Sequence, residues 1–256
     1  MAGDNQCSDQ TRWEPSRLLA EIAGYDALES IWGHVPSDPL PGTGGTGSRG
    51  RPWGKPMRSL GGGGAIPPSI ASKYEIHDWR NAVHVLSGAH PAEWGDVLAV
   101  LDGFVLKKSE VIIGGGRKSK ISDSLDSAFY ARGWEEKEFK TTFHVDDEER
   151  SSRTHKIDCY KNLVGLELEW NSKDQTFVRD LNNFRVLFEL QVLDAGVIVT
   201  RCDELQQIFD SLGIGGKYGA STTHMAKLLP RLSSGGGGGC PVLVFGIRAT
   251  LFDPNQ

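Results

Sequence analysis

Four cysteines, Cys7, Cys159, Cys202 and Cys240, lie far apart in a chain of 256 residues with no CxxC pair, which leaves neither a zinc knuckle nor a disulfide framework to build on. They read as free thiols. Long apolar runs are missing as well, since no stretch approaches the roughly 18 residues that a membrane span needs. The opening segment MAGDNQCSDQ carries no apolar core of the secretory kind, so the cytoplasm is the expected location and no membrane partner is expected. Positive charge is also scarce. With 28 lysines and arginines against 33 aspartates and glutamates the net charge is −5, which argues against indiscriminate adhesion to nucleic acid but leaves room for a local basic cleft. A GxGxxG fingerprint in a βαβ frame is absent. Gly114, Gly115 and Gly116 lead instead into Arg117, Lys118 and Lys120, a basic loop with two readings, a solvated turn or a phosphate contact. The seven histidines lack metal-ligand spacing and read as structural or surface residues.

Glycine, by contrast, is plentiful. Of 32 glycines, ten fall between Pro41 and Gly64 beside Arg49, Arg51, Lys55 and Arg58, which reads as a flexible basic linker. That divides the chain into an N-terminal helical segment (1–40, with helical spacing from Pro15 to Val35), a linker (41–65) and a globular domain (66–256). Within the domain, Asp78 is placed to cap a short helix carrying Trp79, Ala82, Val83 and Leu86, and Pro91 opens a second with Trp94, Val97, Leu98, Leu101 and Phe104 on one side. Ser124 to Arg132 suggests another helix, and Asp146 to Glu149 an acidic loop face. Five glycines, Gly235 to Gly239, read as a loop tip before a buried strand, Val242 to Phe245.

Chemistry concentrates between Thr154 and Arg201. Ile157, Cys159, Val164, Leu166, Leu168 and Trp170 alternate with Lys156, Asp158, Gly165, Glu167 and Glu169, the pattern of a hairpin with one face buried. A two-residue turn at Lys161 and Asn162 would pair Asp158 with Gly165 and set Lys156, Asp158, Glu167 and Glu169 on one surface. Carboxylates so placed can share one hard cation, for which an all-oxygen donor set favours magnesium or manganese over zinc. The alternative is a solvated polar face on which Lys156 bridges to Glu167. Downstream, Phe177, Leu181, Phe184, Leu187 or Phe188, and Val192 recur at helical spacing and Gly196 to Thr200 reads as a buried strand, so hairpin, helix and strand form a parallel crossover unit. Asp174 is expected to cap that helix.

Asp158, then eight residues, then Glu167-Leu168-Glu169, followed by a polar turn and a helix, resembles the BglII/BstYI group of type II restriction endonucleases within the PD-(D/E)xK nuclease superfamily. The resemblance is strongest over Ile76 to Arg201. It implies an α/β fold with a mixed central sheet flanked by helices, and hydrolysis of phosphodiester bonds in palindromic double-stranded DNA, with a GATC-centred site suggested by the named relatives. It also implies Mg2+ held by Asp158, Glu167 and the Leu168 carbonyl, with Glu169 at the attacking water. A homodimer and a cognate DNA methyltransferase as genetic partner follow from the same likeness, as does an upstream acid for which Glu135, Glu136 and Glu138 are the candidates. Asn171, Ser172 and Lys173 leave the catalytic strand where donors and acceptors of the major groove could be read. Arg179, Lys118 and Lys120 are candidate phosphate contacts, and Lys217, Tyr218 and His224 a second recognition loop. Three rival readings remain: a glycosidase, which adjacent same-strand acids fit poorly; a non-catalytic module on a nuclease fold; and a nuclease of repair or of modified DNA.

Overall fold

The computed structural model describes residues 64–113 and 118–256. The expected N-terminal helix, nearly all of the linker, and Gly114 to Arg117 lie outside the described residues. In chain order the elements begin with α1 (Pro68–Lys73), β1 (Tyr74–Trp79), α2 (Ala82–Ala89), α3 (Pro91–Gly103), β2 (Leu106–Lys107), α4 (Lys108–Ile112) and α5 (Lys120–Tyr130). The middle holds β3 (Glu135–Lys137), β4 (Lys140–Val145), β5 (Glu148–Arg153), β6 (Ile157–Lys161), β7 (Val164–Leu168) and α6 (Thr176–Glu189). Last come β8 (Ala195–Arg201), α7 (Leu205–Ser211), α8 (Met225–Ser233), β9 (Val242–Ile247) and β10 (Phe252–Asp253).

Strands β8 and β9 are buried at every position, as strands covered on both faces must be. They form the middle of a six-stranded mixed sheet of order β1-β9-β8-β7-β6-β3. The β7, β8 and β9 strands run parallel, while β1 and the β6 and β3 side pair antiparallel. Two helical layers close it. Leu86, Val97, Leu101 and Phe129 from α2, α3 and α5 pack with Phe209 of α7 against Leu166, Val197, Val199 and Phe245. On the opposite face, Phe177, Phe184 and Leu187 of α6 join Leu228 and Leu232 of α8 over Ile198, Val242 and Val244. The fold is therefore the expected α/β sandwich of helices around a mixed sheet.

Seating α6 depends on two strand glycines that face each other. Gly165 of β7 pairs in register with Gly196 of β8. A Cβ on Gly196 would stand 2.4 Å from the Phe184 ring, and one on Gly165 would meet Leu193, Ile157 and Phe184 at 2.9, 3.2 and 3.3 Å. Their missing side chains let the helix approach the sheet. Gly165 thus makes room for apolar packing.

Several expectations are corrected. Asp78 and Trp79, read as the cap and first turn of a helix, belong instead to β1, whose partner β9 is far away in sequence. The helix starts only at Ala82, although Asp78 Oδ1 still accepts the Val83 N–H at 3.4 Å. Asp174 does not cap α6: Gln175 stands at that position, and Asp174 Oδ2 accepts from Arg231 at 2.9 Å. The acidic stretch is the turn and start of a separate hairpin, β4–β5, exposed at all six β5 positions, rather than a simple loop. The five-glycine run packs back on Leu181, Arg185 and Phe188 of α6 instead of projecting as a tip.

Candidate active site

The β6–β7 turn sets the geometry of everything that follows. It consists of Asn162 and Leu163, both in the left-handed region (φ 44° and 65°), so that Lys161 pairs with Val164, Tyr160 with Gly165 and Cys159 with Leu166. The expected turn at Lys161 and Asn162, and with it the pairing of Asp158 with Gly165, is therefore off by one residue in each strand. Parity survives, because both strands shift together. A second departure is a bulge: Tyr160 pairs with Glu135 but Ile157 with Lys137, so three steps of β6 oppose two of β3. The expected shared face of Ile157 and Cys159 is split by it, Ile157 joining the α6 core and Cys159 the opposite one. Asp158 sits inside this bulge, the device by which a strand re-aims a side chain.

Its carboxylate turns toward β7, where Oδ2 accepts the Leu168 N–H at 3.0 Å, and its carbonyl accepts the Tyr130 hydroxyl at 3.0 Å. Asp158, Leu168 and Glu169 then line one cavity of about 600 Å³, together with Lys118, Lys120, Asn171, Ser172 and Arg179. Glu167 lies beneath it, 1% exposed, with Oε1 lacking any partner among the described residues. Lys173 is not in the wall; its backbone bridges to Thr222. Nor does Lys156 reach Glu167, because it pairs with Glu136 at 2.6 Å.

Burial first, and then the charges of Asp180, Asp158 and Glu169, hold the Glu167 carboxyl well above the usual carboxylate range. Glu169 is raised for the same leading reason, though Thr176, whose hydroxyl donates to Oε2 at 2.8 Å, pulls the other way. Asp180 of α6 was not singled out by the sequence. It is fully buried, and burial with the neighbouring Glu169 pushes it up to about 9. Arg179 ties the group together, donating to Asp180 Oδ1 through Nε and Nη2 at 3.0 and 2.9 Å with Nη2 3.5 Å from Glu169 Oε1.

Of the expected upstream acids, Glu135, Glu136 and Glu138 lie on or beside the edge strand β3 in ion pairs with Lys137, Lys156 and Arg153, and Glu136 also lines the cavity. The buried acid on the preceding helix is Asp126 of α5, which binds Lys118 and accepts from Cys159 Sγ at 3.6 Å. Burial raises its pKa, and the Asp158 charge adds to that. A helical spacing of buried Ile121, Ser122, Leu125, Asp126 and Phe129 was the available signal for it. Of the expected second loop, Tyr218 is a buried wall whose hydroxyl donates to Val111 O at 3.1 Å, Lys217 is spent on the Val111 and Ile113 carbonyls, and His224 pairs with Asp203.

Acids delivered by a β-hairpin to the C-terminal end of a central strand, with a crossover helix behind them, define the restriction-endonuclease-like class of nucleases. The family described as Restriction endonuclease BglII/BglIII matches residues 74–247, more than half of the chain, and the chain belongs to that family. It is a type II restriction endonuclease, a site-specific hydrolase of phosphodiester bonds in DNA. No curated protein matches it.

Proposed function

We propose that the protein cuts palindromic double-stranded DNA as a homodimer in a Mg2+-dependent reaction, with a GATC-centred sequence as the first site to test and a cognate methyltransferase protecting the host copy. The observation that carries this is a cavity lined by Asp158 and Glu169 with Glu167 buried against them, one oxygen of which has no partner among the described residues. Stripped of a cation, such a cluster is costly, because buried like charges raise one another's pKa. Among the described residues no three His, Cys, Asp or Glu side chains stand close enough to ligate an ion as they lie. The fit is one of chemistry: oxygen donors only, excess negative charge, and an orphaned acceptor, which suit a hard divalent cation.

Asp158 and Glu167 would hold the ion with the Leu168 carbonyl, and bound there it would polarise the scissile phosphate and offset transition-state charge. Glu169 orients the attacking water and takes its proton; a carboxyl raised above its ordinary value is a better base near neutral pH. Asp126, beside Asp158 on α5, takes the part of the upstream acid. Asn171 and Ser172 face the cavity at the end of the catalytic strand, where base edges can be read, and Lys118 and Lys120 rim it toward the phosphate backbone. Residues 66–256 make up the catalytic domain in this assignment. A two-fold dimer supplies one such centre to each strand of a palindrome.

Digestion of a plasmid with Mg2+ and with EDTA, followed by sequencing of the cut ends, tests the reading. Cleavage at one palindrome only with Mg2+ supports it; equal cutting in EDTA, or ends with no common sequence, refutes it.

A further inference from the structure

The cavity is lined by four cations, Lys118, Lys120, Arg179 and Lys217, and they are not equivalent. Lys217 is bound to backbone carbonyls of Val111 and Ile113. Lys118 is engaged by Asp126 and Asp123, and Lys120 opens helix α5 at the exposed rim. Arg179 alone among them touches Glu169. One turn of α6 is built around that contact: Thr176, Arg179 and Asp180, at spacings of three and four residues, all address the Glu169 carboxylate or each other. Asp180 is 0% exposed while the Arg179 side chain is 43% exposed, so a fixed, buried acid grips one edge of a guanidinium that stands in the cavity wall. Both bonds to Asp180 use Nε and Nη2, and Nη1 makes no hydrogen bond among the described residues. A planar fork held on one edge presents its remaining N–H groups to an anion with little freedom left to lose.

We propose that Arg179 is a catalytic residue, its free N–H groups bonding a non-bridging oxygen of the scissile phosphate beside Glu169, and that Asp180 is the positioning residue that aims it. This rests on the reading of the site given above. The negative charge that builds on the phosphate oxygens as water attacks and the leaving oxygen departs is met by a donor already in place. Asp180 never touches DNA in this scheme and acts through the guanidinium.

The test uses the full chain, a plasmid that the wild type cuts with Mg2+, and variants Arg179→Ala, Asp180→Ala, the double variant and Asp158→Ala. With enzyme in excess, Arg179→Ala should slow cleavage about 10²–10³-fold. Binding of a plasmid fragment in EDTA should change little, its salt slope falling by about one or less. Added guanidinium chloride at low millimolar concentration should raise the Arg179→Ala rate about tenfold or more and leave Asp158→Ala inactive. Asp180→Ala should slow cleavage in the wild-type background but have no further effect once Arg179 is gone, which a purely structural acid would not do. If Asp180→Ala melts below the assay temperature, Asp180→Asn takes its place in the cycle. Arg179→Ala cutting at the wild-type rate, or losing binding and cleavage in equal measure without guanidinium rescue, overturns the assignment. Cleavage by Asp158→Ala would instead overturn the reading of the site itself, whatever Arg179 does.

Discussion

Two hairpins stand next to each other in the chain and could hardly be less alike. The β4–β5 hairpin is a two-stranded sheet with a regular six-pair register, and β5 faces solvent at every position. By contrast, β6–β7 has three paired positions, a bulge where β6 meets β3 and a turn with Leu163 at positive φ, yet every residue of β7 is buried. Regularity belongs to the hairpin that holds itself together by local pairing alone, and irregularity to the one whose conformation is imposed by the layers around it. An isolated two-stranded ribbon is marginally stable by itself. The buried hairpin draws on the whole core and so can carry strained residues and crowded acids.

The sharpest way to test that contrast is through activity. Asp158→Ala or Glu167→Ala should reduce plasmid cleavage with Mg2+ by about 10³-fold or more with folding retained, as seen by circular dichroism. Stability comes next. Phe184→Ala removes the ring that fills the space above Gly165 and Gly196, and urea unfolding should show a loss of about 3–5 kcal/mol. Gly196→Ala attacks the same contact from the strand side and should cost about 1–3 kcal/mol.

A smaller effect is expected from pH. Asp180, held up at about 9, and Glu167, also raised, bind protons more tightly in the folded chain than in the unfolded one. Their contribution is thus complete below the ordinary carboxylate range and is lost as pH rises through the folded values. The melting temperature of metal-free protein should fall between about pH 5 and pH 9, and Asp180→Asn should flatten that slope. An unchanged slope in that variant would show that Asp180 is ionised and compensated in the fold. The smallest change belongs to the ribbon, where Thr142→Ala or Glu149→Ala should shift stability by no more than about 0.5 kcal/mol. A larger loss in thermal melts would mean that β4–β5 is braced by more than its own ladder.

What could be read from the residues divides along the same line. Apolar patterns that repeat locally marked β7, α6, β8 and β9, because burial of a face leaves a period in the sequence. Asn162 announced the turn but not its register, since Leu163, the other turn residue, is unusual in the left-handed region. The bulge at Asp158 leaves no trace in a strand of five residues. Strand β1 was hidden because its partner β9 is distant and its Trp79 falls in step with the apolar positions of α2. Asp180 and Asp126 were hard to tell from solvated acids for a chemical reason: a buried acid in an amphipathic helix looks like an exposed one until its neighbours are known, and for Asp126 the helical spacing was the one hint. The alternation of acids on the hairpin, in contrast, was legible from their spacing, while the family assignment rests on the match over residues 74–247.

The loop that leaves the catalytic strand is laced to a distant segment. Ser172 N–H donates to Thr223 Oγ1 at 3.2 Å, Thr223 N–H to Ser172 O at 2.9 Å, and Asp174 N–H to Ser221 O at 3.0 Å. If Asn171 to Lys173 read base edges as proposed, exchanging residues 171–174 alone would alter one half of a two-part cassette. Segment 221–223 would have to be exchanged with it for the loop to keep its seat.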